Sequence, residues 1–170
     1  ELLKQLDDNS IHSCVSDFPY NLSFMNKEWD IISNYYDWCY TRAKELLRVL
    51  KPGAYCLIFG GTRTHHRLVC AFEDAGFEIK DELQWIYGQG FPKSYNISKG
   101  FNKKSEKDLA KKWQGWETAL KPAQEPIMLA QKRIEKNYCY NIKKYGVGAL
   151  NIDLCRIKFA ENDDKRINKN

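Results

Sequence analysis

The chain of 170 residues fits one domain, which can bury roughly two-thirds or more of its unfolded surface. Its 43% hydrophobic and 14% aromatic content excludes a disordered tail, and no apolar run approaches the ~20 residues of a helical membrane span. A net charge of +5 and a pI near 8.8 point only weakly toward a phosphate-bearing partner.

In chain order, Leu2 to Leu6 reads as the tail of a helix and Asp7-Asp8-Asn9-Ser10 as the turn after it. Ile11 to Ser16 is β-branched, apolar and ended by turn residues, which predicts a short buried strand. A loop holding Phe24, Met25 and Trp29 follows. From Ser33 or Asn34 a helix is expected, with Tyr36, Cys39, Tyr40, Ala43, Leu47 and Leu50 on one face, stopped by Lys51-Pro52-Gly53. Ala54 to Phe59 predicts a second buried strand, with Gly60-Gly61 as the tight turn behind it. Thr62 or Thr64 can cap a second helix whose Leu68, Val69, Phe72 and Ala75 form an apolar stripe, and Gly76 ends it. Phe77 to Tyr87 predicts a third strand, partly at an edge. This alternation is the grammar of an α/β parallel sheet with right-handed crossovers.

The second half is less regular. Gly88 to Ser94 is a glycine-rich loop that leads into Lys99, Lys103, Lys104, Lys107, Lys111 and Lys112. These lysines suit either a DNA backbone or a solvated helix face. Pro126 to Gln131 predicts a strand, Tyr138 to Tyr145 a short helix, and Ala160 onward a frayed polar tail. The six cysteines form no CxxC and have no histidine at ligand spacing, so neither zinc nor any other metal is expected. Four of them fall on expected core faces, where a reduced thiol behaves as a small hydrophobe. His65 and His66 fit a surface or capping role better than catalysis. Trp113, Trp116 and Phe91 fit packing better than base stacking, and Lys121 with Glu125 is as readily an ion pair as a site. The N-terminus has no signal pattern, which places the chain in the cytoplasm. It begins on Glu1 in mid-helix style without an initiator Met, as a piece of something longer would.

The most informative run is Asp17-Phe18-Pro19-Tyr20, directly behind the first strand. Ligands of open α/β sheets bind beyond the carboxyl ends of the strands, so this turn and Gly60-Gly61-Thr62-Arg63 should open on one crevice. The run resembles the signature of the amino-group DNA methyltransferases, which use S-adenosylmethionine (SAM) to methylate the exocyclic amine of adenine or cytosine. That signature is Asp, Asn or Ser, then Pro-Pro, then an aromatic. Asn21 to Asp30, Leu50 to Gly53, Phe59 to Thr64, Gly90 to Ser94 and Gly115 to Pro126 also look like phage and prophage members. The resemblance covers most of residues 1 to about 157.

What it implies is a Rossmann-like SAM-dependent methyltransferase sheet with helices on both faces, and methyl transfer to a base flipped out of double-stranded DNA, adenine favoured because the first motif residue is Asp. An aromatic amine is a poor nucleophile because its lone pair is delocalised into the ring. By the resemblance, the Asp17 carboxylate and the Phe18 carbonyl accept from its hydrogens, while Tyr20 stacks on the base. Flipping costs a few kcal/mol, and one stack returns about 1–3 kcal/mol of it. Phe18 replaces a proline but still offers a carbonyl, and Pro19 still biases residue 18 toward extended geometry. Asn21, Phe24, Gly60 and Gly61 are the implied cofactor contacts; Arg63, Lys93, Ser94 and Lys99 are the implied DNA contacts. In members with this motif order, the Phe-x-Gly-x-Gly loop that cradles SAM lies C-terminal to the catalytic half, and no such loop occurs here. Residues 1–157 are thus expected to be a catalytic half, with 158–170 a tail or the start of the cofactor and target-recognition half. The alternatives are an inactive DNA- or partner-binding module, or an enzyme acting on RNA or a protein glutamine.

Overall fold

In the computed structural model, which describes residues 2–23, 26–90, 94–120 and 122–157, four strands form one sheet in the order β1-β2-β4-β3. Strand β1 (Ile11–Asp17) pairs parallel with β2 (Leu50–Phe59), whereas β4 (Gln124–Lys132) runs antiparallel to both β2 and β3 (Phe77–Ile86). The parallel sheet expected from the first three strands is therefore a mixed one. The first three strands share a direction, but β4 is inserted between the second and third. Ile127 to Gln131 are all buried, as a strand bonded on both edges and covered on both faces requires, and such a continuous apolar run carries no mark of direction.

Helix α1 (Tyr35–Val49) starts where Asn34 accepts from the Asp37 N–H (3.2 Å), and passes without a loop into β2 at Leu50. The expected stop at Lys51-Pro52-Gly53 is already strand. Helix α2 (His65–Ala75) closes on Gly76, whose φ of +112° is left-handed backbone that favours glycine. Cys39, Ala43 and Leu46 of α1 and Leu68, Ala71, Phe72 and Ala75 of α2 pack against Cys56 and Ile58 of β2 and Met128 and Ala130 of β4, giving the core. Tyr36, Tyr40 and Leu47 lie at its margin. On the other face of the sheet Val15 is 67% exposed, and the outer edge of β1 pairs with no strand among the described residues.

The connection from β3 to β4 carries two short helices packed on each other, α3 (Ile97–Lys103) and α4 (Lys107–Lys112). Trp113 meets Trp116 edge-on at 5.1 Å, and Trp116 is 60% exposed rather than packed away. Helix α5 (Tyr138–Tyr145) lies where the sequence places it, and a single turn, α6 (Ile152–Cys155), follows. At the start of the chain, Leu2–Gln5 is a 3-10 turn. Cys39 and Cys56 are buried and Cys14 partly so, but Cys70, Cys139 and Cys155 are exposed, one fewer on the core than expected. No helix of the described residues is long and apolar enough to cross a membrane.

Buried Asn141 ties α5 to β2. Its amide donates to the Pro52 and Val147 carbonyls (both 2.9 Å) and its oxygen accepts from the Glu135 N–H (2.9 Å). Gly53 leaves room for it, since a Cβ there would lie 2.3 Å from the Asn141 nitrogen. Asn141→Leu strands three backbone groups and is expected to lower stability by about 3 kcal/mol in urea unfolding.

Candidate active site

Asp17 ends β1 beside Phe59, the last residue of β2, so it stands at the carboxyl ends of two parallel strands. The next residue goes the other way. The Phe18 ring packs edge-on to Trp38 (centroids 5.3 Å, 85°) and tilted on Phe72 (5.9 Å), and the Arg42 guanidinium covers Trp38 at 3.6 Å. The Tyr20 carbonyl accepts from the Thr64 hydroxyl at 2.6 Å. Thr64 does occupy the N-cap of α2, yet its side chain makes no cap bond and holds the Tyr20 turn instead. Gly61 underlies the same residue. A Cβ at Gly61 would lie 2.9 Å from the Tyr20 Cβ, so only glycine permits this approach.

Beyond Tyr20 the backbone is gathered by one acid. Asp30, 1% exposed, accepts from the Asn21 N–H (2.7 Å) and the Leu22 N–H (3.0 Å) through its carboxylate, and from the Ser23 N–H (3.2 Å) through its carbonyl. Asn21 and Ser23 have φ of +53° and +55°, left-handed values that turn successive N–H groups inward. The Asn21 side chain pairs with Ile32 in both directions, donating to its carbonyl (3.1 Å) and accepting from its N–H (2.7 Å). The segment from the motif to α1 is thereby closed into a fixed loop.

These constraints frame a cavity of about 830 Å³ lined by the motif residues Asp17 to Tyr20, by Leu22, Trp29 and Asp30, by Gly61 and Thr62, and by Tyr87, Gln89, Gly90, Pro122, Gln124 and Glu125. Burial raises the pKa of the Tyr20 hydroxyl far above its ordinary value. The charges of Asp17 and Glu125, and hydrogen bonding with both carboxylates, push it in the same direction. The Tyr87 hydroxyl is pushed up to about 12, chiefly by its hydrogen bond to Glu125. A second hollow of about 430 Å³ lies between the starts of α1 and α2 and includes Asn21, Asn34, His66 and Arg67.

Of the residues singled out from sequence, the cavity brings together Asp17, Phe18, Pro19, Tyr20 and Gly61. Gly60 is buried beside His65, and Asn21 borders the second hollow with its amide taken up by Ile32. Arg63 is exposed in the turn before α2, and Lys99 is exposed on α3. Ser94 accepts from the Ala119 N–H (3.1 Å), inside the connection between β3 and β4. Phe24, Lys93, Phe91, Lys121 and residues 158–170 lie outside the described residues. His65 faces Glu82 at 3.0 Å, and burial holds its pKa down despite that carboxylate. Sequence reasoning missed Asp30 and Tyr87, and left Glu125, with Lys121, as readily an ion pair as a site. The place of Glu125 one residue before a buried strand that reaches the same end of the sheet could have favoured the site; Asp30 offered no local signal.

A DNA methylase family model matches residues 11–169. The type II methyltransferase M.HindIII of Haemophilus influenzae is 30% identical over an alignment covering 88% of this chain and 61% of that protein. M.BamHI of Bacillus amyloliquefaciens is 38% identical over 66 residues, 35% of this chain and 15% of that one. Among solved structures, a DNA modification methylase of Thermus thermophilus, in complex with S-adenosyl-L-methionine, superposes with a TM-score of 0.51 at 16% identity, over 84% of this chain and 55% of that one. The cytosine-N4-specific PvuII DNA methyltransferase does so with a TM-score of 0.50 at 17% identity, over 97% and 56%. These structures share the fold. The chain spans 61% of M.HindIII and just over half of each solved chain.

An amide at residue 30 presents one acceptor oxygen where the carboxylate presents two. Asp30→Asn is expected to cost about 2–3 kcal/mol of stability in urea unfolding, with faster hydrogen exchange at the Asn21 and Leu22 amides.

Proposed function

Because the chain belongs to the DNA methylase family of N6- and N4-amino methyltransferases, we propose that it carries the methyl-acceptor site for the exocyclic amine of a base flipped from double-stranded DNA, with SAM as methyl donor and adenine favoured over cytosine. The observation that carries this reading is the convergence of Asp17 and Tyr20 on one cavity whose walls also include Trp29, Tyr87, Gly61 and Gly90. The Phe18 ring is anchored between Trp38 and Phe72, and the residue lines the cavity beside Asp17, where its carbonyl would join the Asp17 carboxylate as an acceptor. Two acceptors aimed at the amine hydrogens favour a pyramidal nitrogen with its lone pair free, and Asp17 stabilises the cationic product until a proton leaves. Tyr20 stacks on the base, and its own carbonyl, held by Thr64, fixes the position of its ring.

The cavity fits a methyl donor beside the base: it has room for both, and Gly61 forms a wall that tolerates no side chain. Bound SAM supplies an electrophilic methyl whose bonding pair returns to sulfur. Leu22, Gly61 and Thr62 line the cavity and would hold it there; Asn21 and Gly60 act by shaping the turns that carry these residues. The exposed edge of β1 supports reading residues 1–157 as a catalytic half that a further cofactor and target-recognition half completes, with 158–170 leading into it.

DNA contact falls to the connection between β3 and β4. Eight lysines face three acids between Lys93 and Lys121, so these 29 residues hold the whole +5 charge and the other 141 balance to zero. Lys99, Lys103, Lys104, Lys107, Lys111 and Lys112 are all exposed. Lys93, Ser94 and Arg63 are assigned to the same DNA contact, and a cytoplasmic setting accords with a DNA substrate.

Transfer of labelled methyl from SAM to duplex DNA, measured on the full-length protein, tests the site. Asp17→Ala and Tyr20→Ala should each lower kcat about a hundredfold or more; incorporation equal to wild type would sink these roles. For the arm, Lys103→Gln and Lys111→Gln should each reduce the slope of log K against log salt by about 1, at the same loss for every DNA sequence.

A further inference from the structure

We propose that Glu125 is a positioning residue of the base-holding site, a carboxylate that holds the Tyr20 and Tyr87 hydroxyls and so fixes both rings against the cavity. This rests on the methyl-acceptor reading of that cavity. Glu125 is the second residue of β4, paired with Trp85 of β3, and the Tyr87 N–H donates to the Ala123 carbonyl (2.7 Å) at the end of the same ladder. One residue on, the Pro126 carbonyl accepts from the Gly60 N–H (3.0 Å), which draws the start of β4 to the turn where Gly61 meets Tyr20. Three strand ends therefore deliver Asp17, Tyr87 and Glu125 to one cavity, and Tyr20 reaches into it from the motif turn.

The arrangement matters because Tyr20 lies between two carboxylates. A phenol that donates to Asp17 competes with the base amine for that acceptor. A second carboxylate offers the hydroxyl another partner and frees Asp17 for the amine. The electrostatic surroundings agree, since hydrogen bonding to Glu125 contributes to the raised pKa of both tyrosines and is the largest cause at Tyr87. Insertion of β4 between β2 and β3 is what makes this possible. A strand running the other way would present its far end, Lys132, at this end of the sheet.

The test uses the full-length protein with Glu125→Gln, Tyr20→Phe and the double variant. Glu125→Gln is expected to lower kcat about tenfold while KM for SAM stays within about twofold. The double variant should lose no more than the worse single one, because Glu125 acts through the Tyr20 hydroxyl. Glu125→Asp, which retracts the same charge, should show a smaller loss of the same kind. Independently of activity, absorbance titration of the tyrosines, with Tyr87→Phe as the subtraction, reads the contact itself. Glu125→Gln should raise the ionised fraction of Tyr87 at pH 11 severalfold above its wild-type value of about a tenth. Unchanged kcat, losses that multiply in the double variant, or an unmoved Tyr87 titration would each overturn the assignment. A wild-type protein with no methyl transfer would overturn the proposed function instead, and the titration would still decide whether Glu125 holds Tyr87.

Discussion

The geometry of the cavity depends on one buried acid. Asp30 takes three successive backbone N–H groups just beyond Tyr20, where left-handed backbone at Asn21 and Ser23 turns them toward it. Burying a carboxylate is costly, and charge-assisted bonds to aligned donors are what offset the cost. The result is a turn fixed from outside itself. Thr64 holds it from α2, Ile32 from the approach to α1, and the Phe18 ring from the core. A turn that is to place a reacting group within tenths of an ångström, as the proposed function asks of this one, needs such over-determined support.

Phenylalanine at residue 18 belongs to the same logic. A proline there would constrain the turn through its own fixed φ. The ring of Phe18 constrains it through packing instead, wedged between Trp38 and Phe72 with Arg42 closing the stack. Aromatic pairs of this kind are worth about 0.5–1.5 kcal/mol each beyond their buried area, comparable with the conformational freedom a proline removes. The acceptor carbonyl is the same in either case. Placing proline at residue 18 would therefore exchange one constraint for another, and empty a space in the core.

What the sequence made legible was whatever is encoded locally. The helix of Tyr35–Val49, the stop at Gly76, the strand behind the motif and the motif itself all follow from periodicity, capping and turn chemistry. What stayed hidden was decided by residues distant in sequence. The run Ile127 to Ala130 reads identically in either direction, so its antiparallel insertion between β2 and β3 could not be seen. Thr64 looked like a cap, and its hydroxyl went 44 residues back to Tyr20. Glu125 looked like one end of an ion pair with Lys121, and only the insertion of β4 brings it to Tyr20 and Tyr87. Asp30 is one acid among 22 acidic residues until the loop closes around it.

The basic connection and the cavity are not separate devices. Gln89 and Gly90 begin that connection and Pro122 ends it, and all three line the cavity. The arm of exposed lysines is therefore rooted in the wall that faces the motif, while the rest of the chain carries no net charge. Long-range attraction would fall on the arm, and selection of the amine would fall on Asp17 and Tyr20 at its base. Tyr87 and Glu125 flank the two ends of the arm, where the Tyr87 N–H donates to the Ala123 carbonyl. On the proposed reading, electrostatic capture would set where the duplex lies, and the hydroxyl–carboxylate contacts at the root of the arm would set how the base is held.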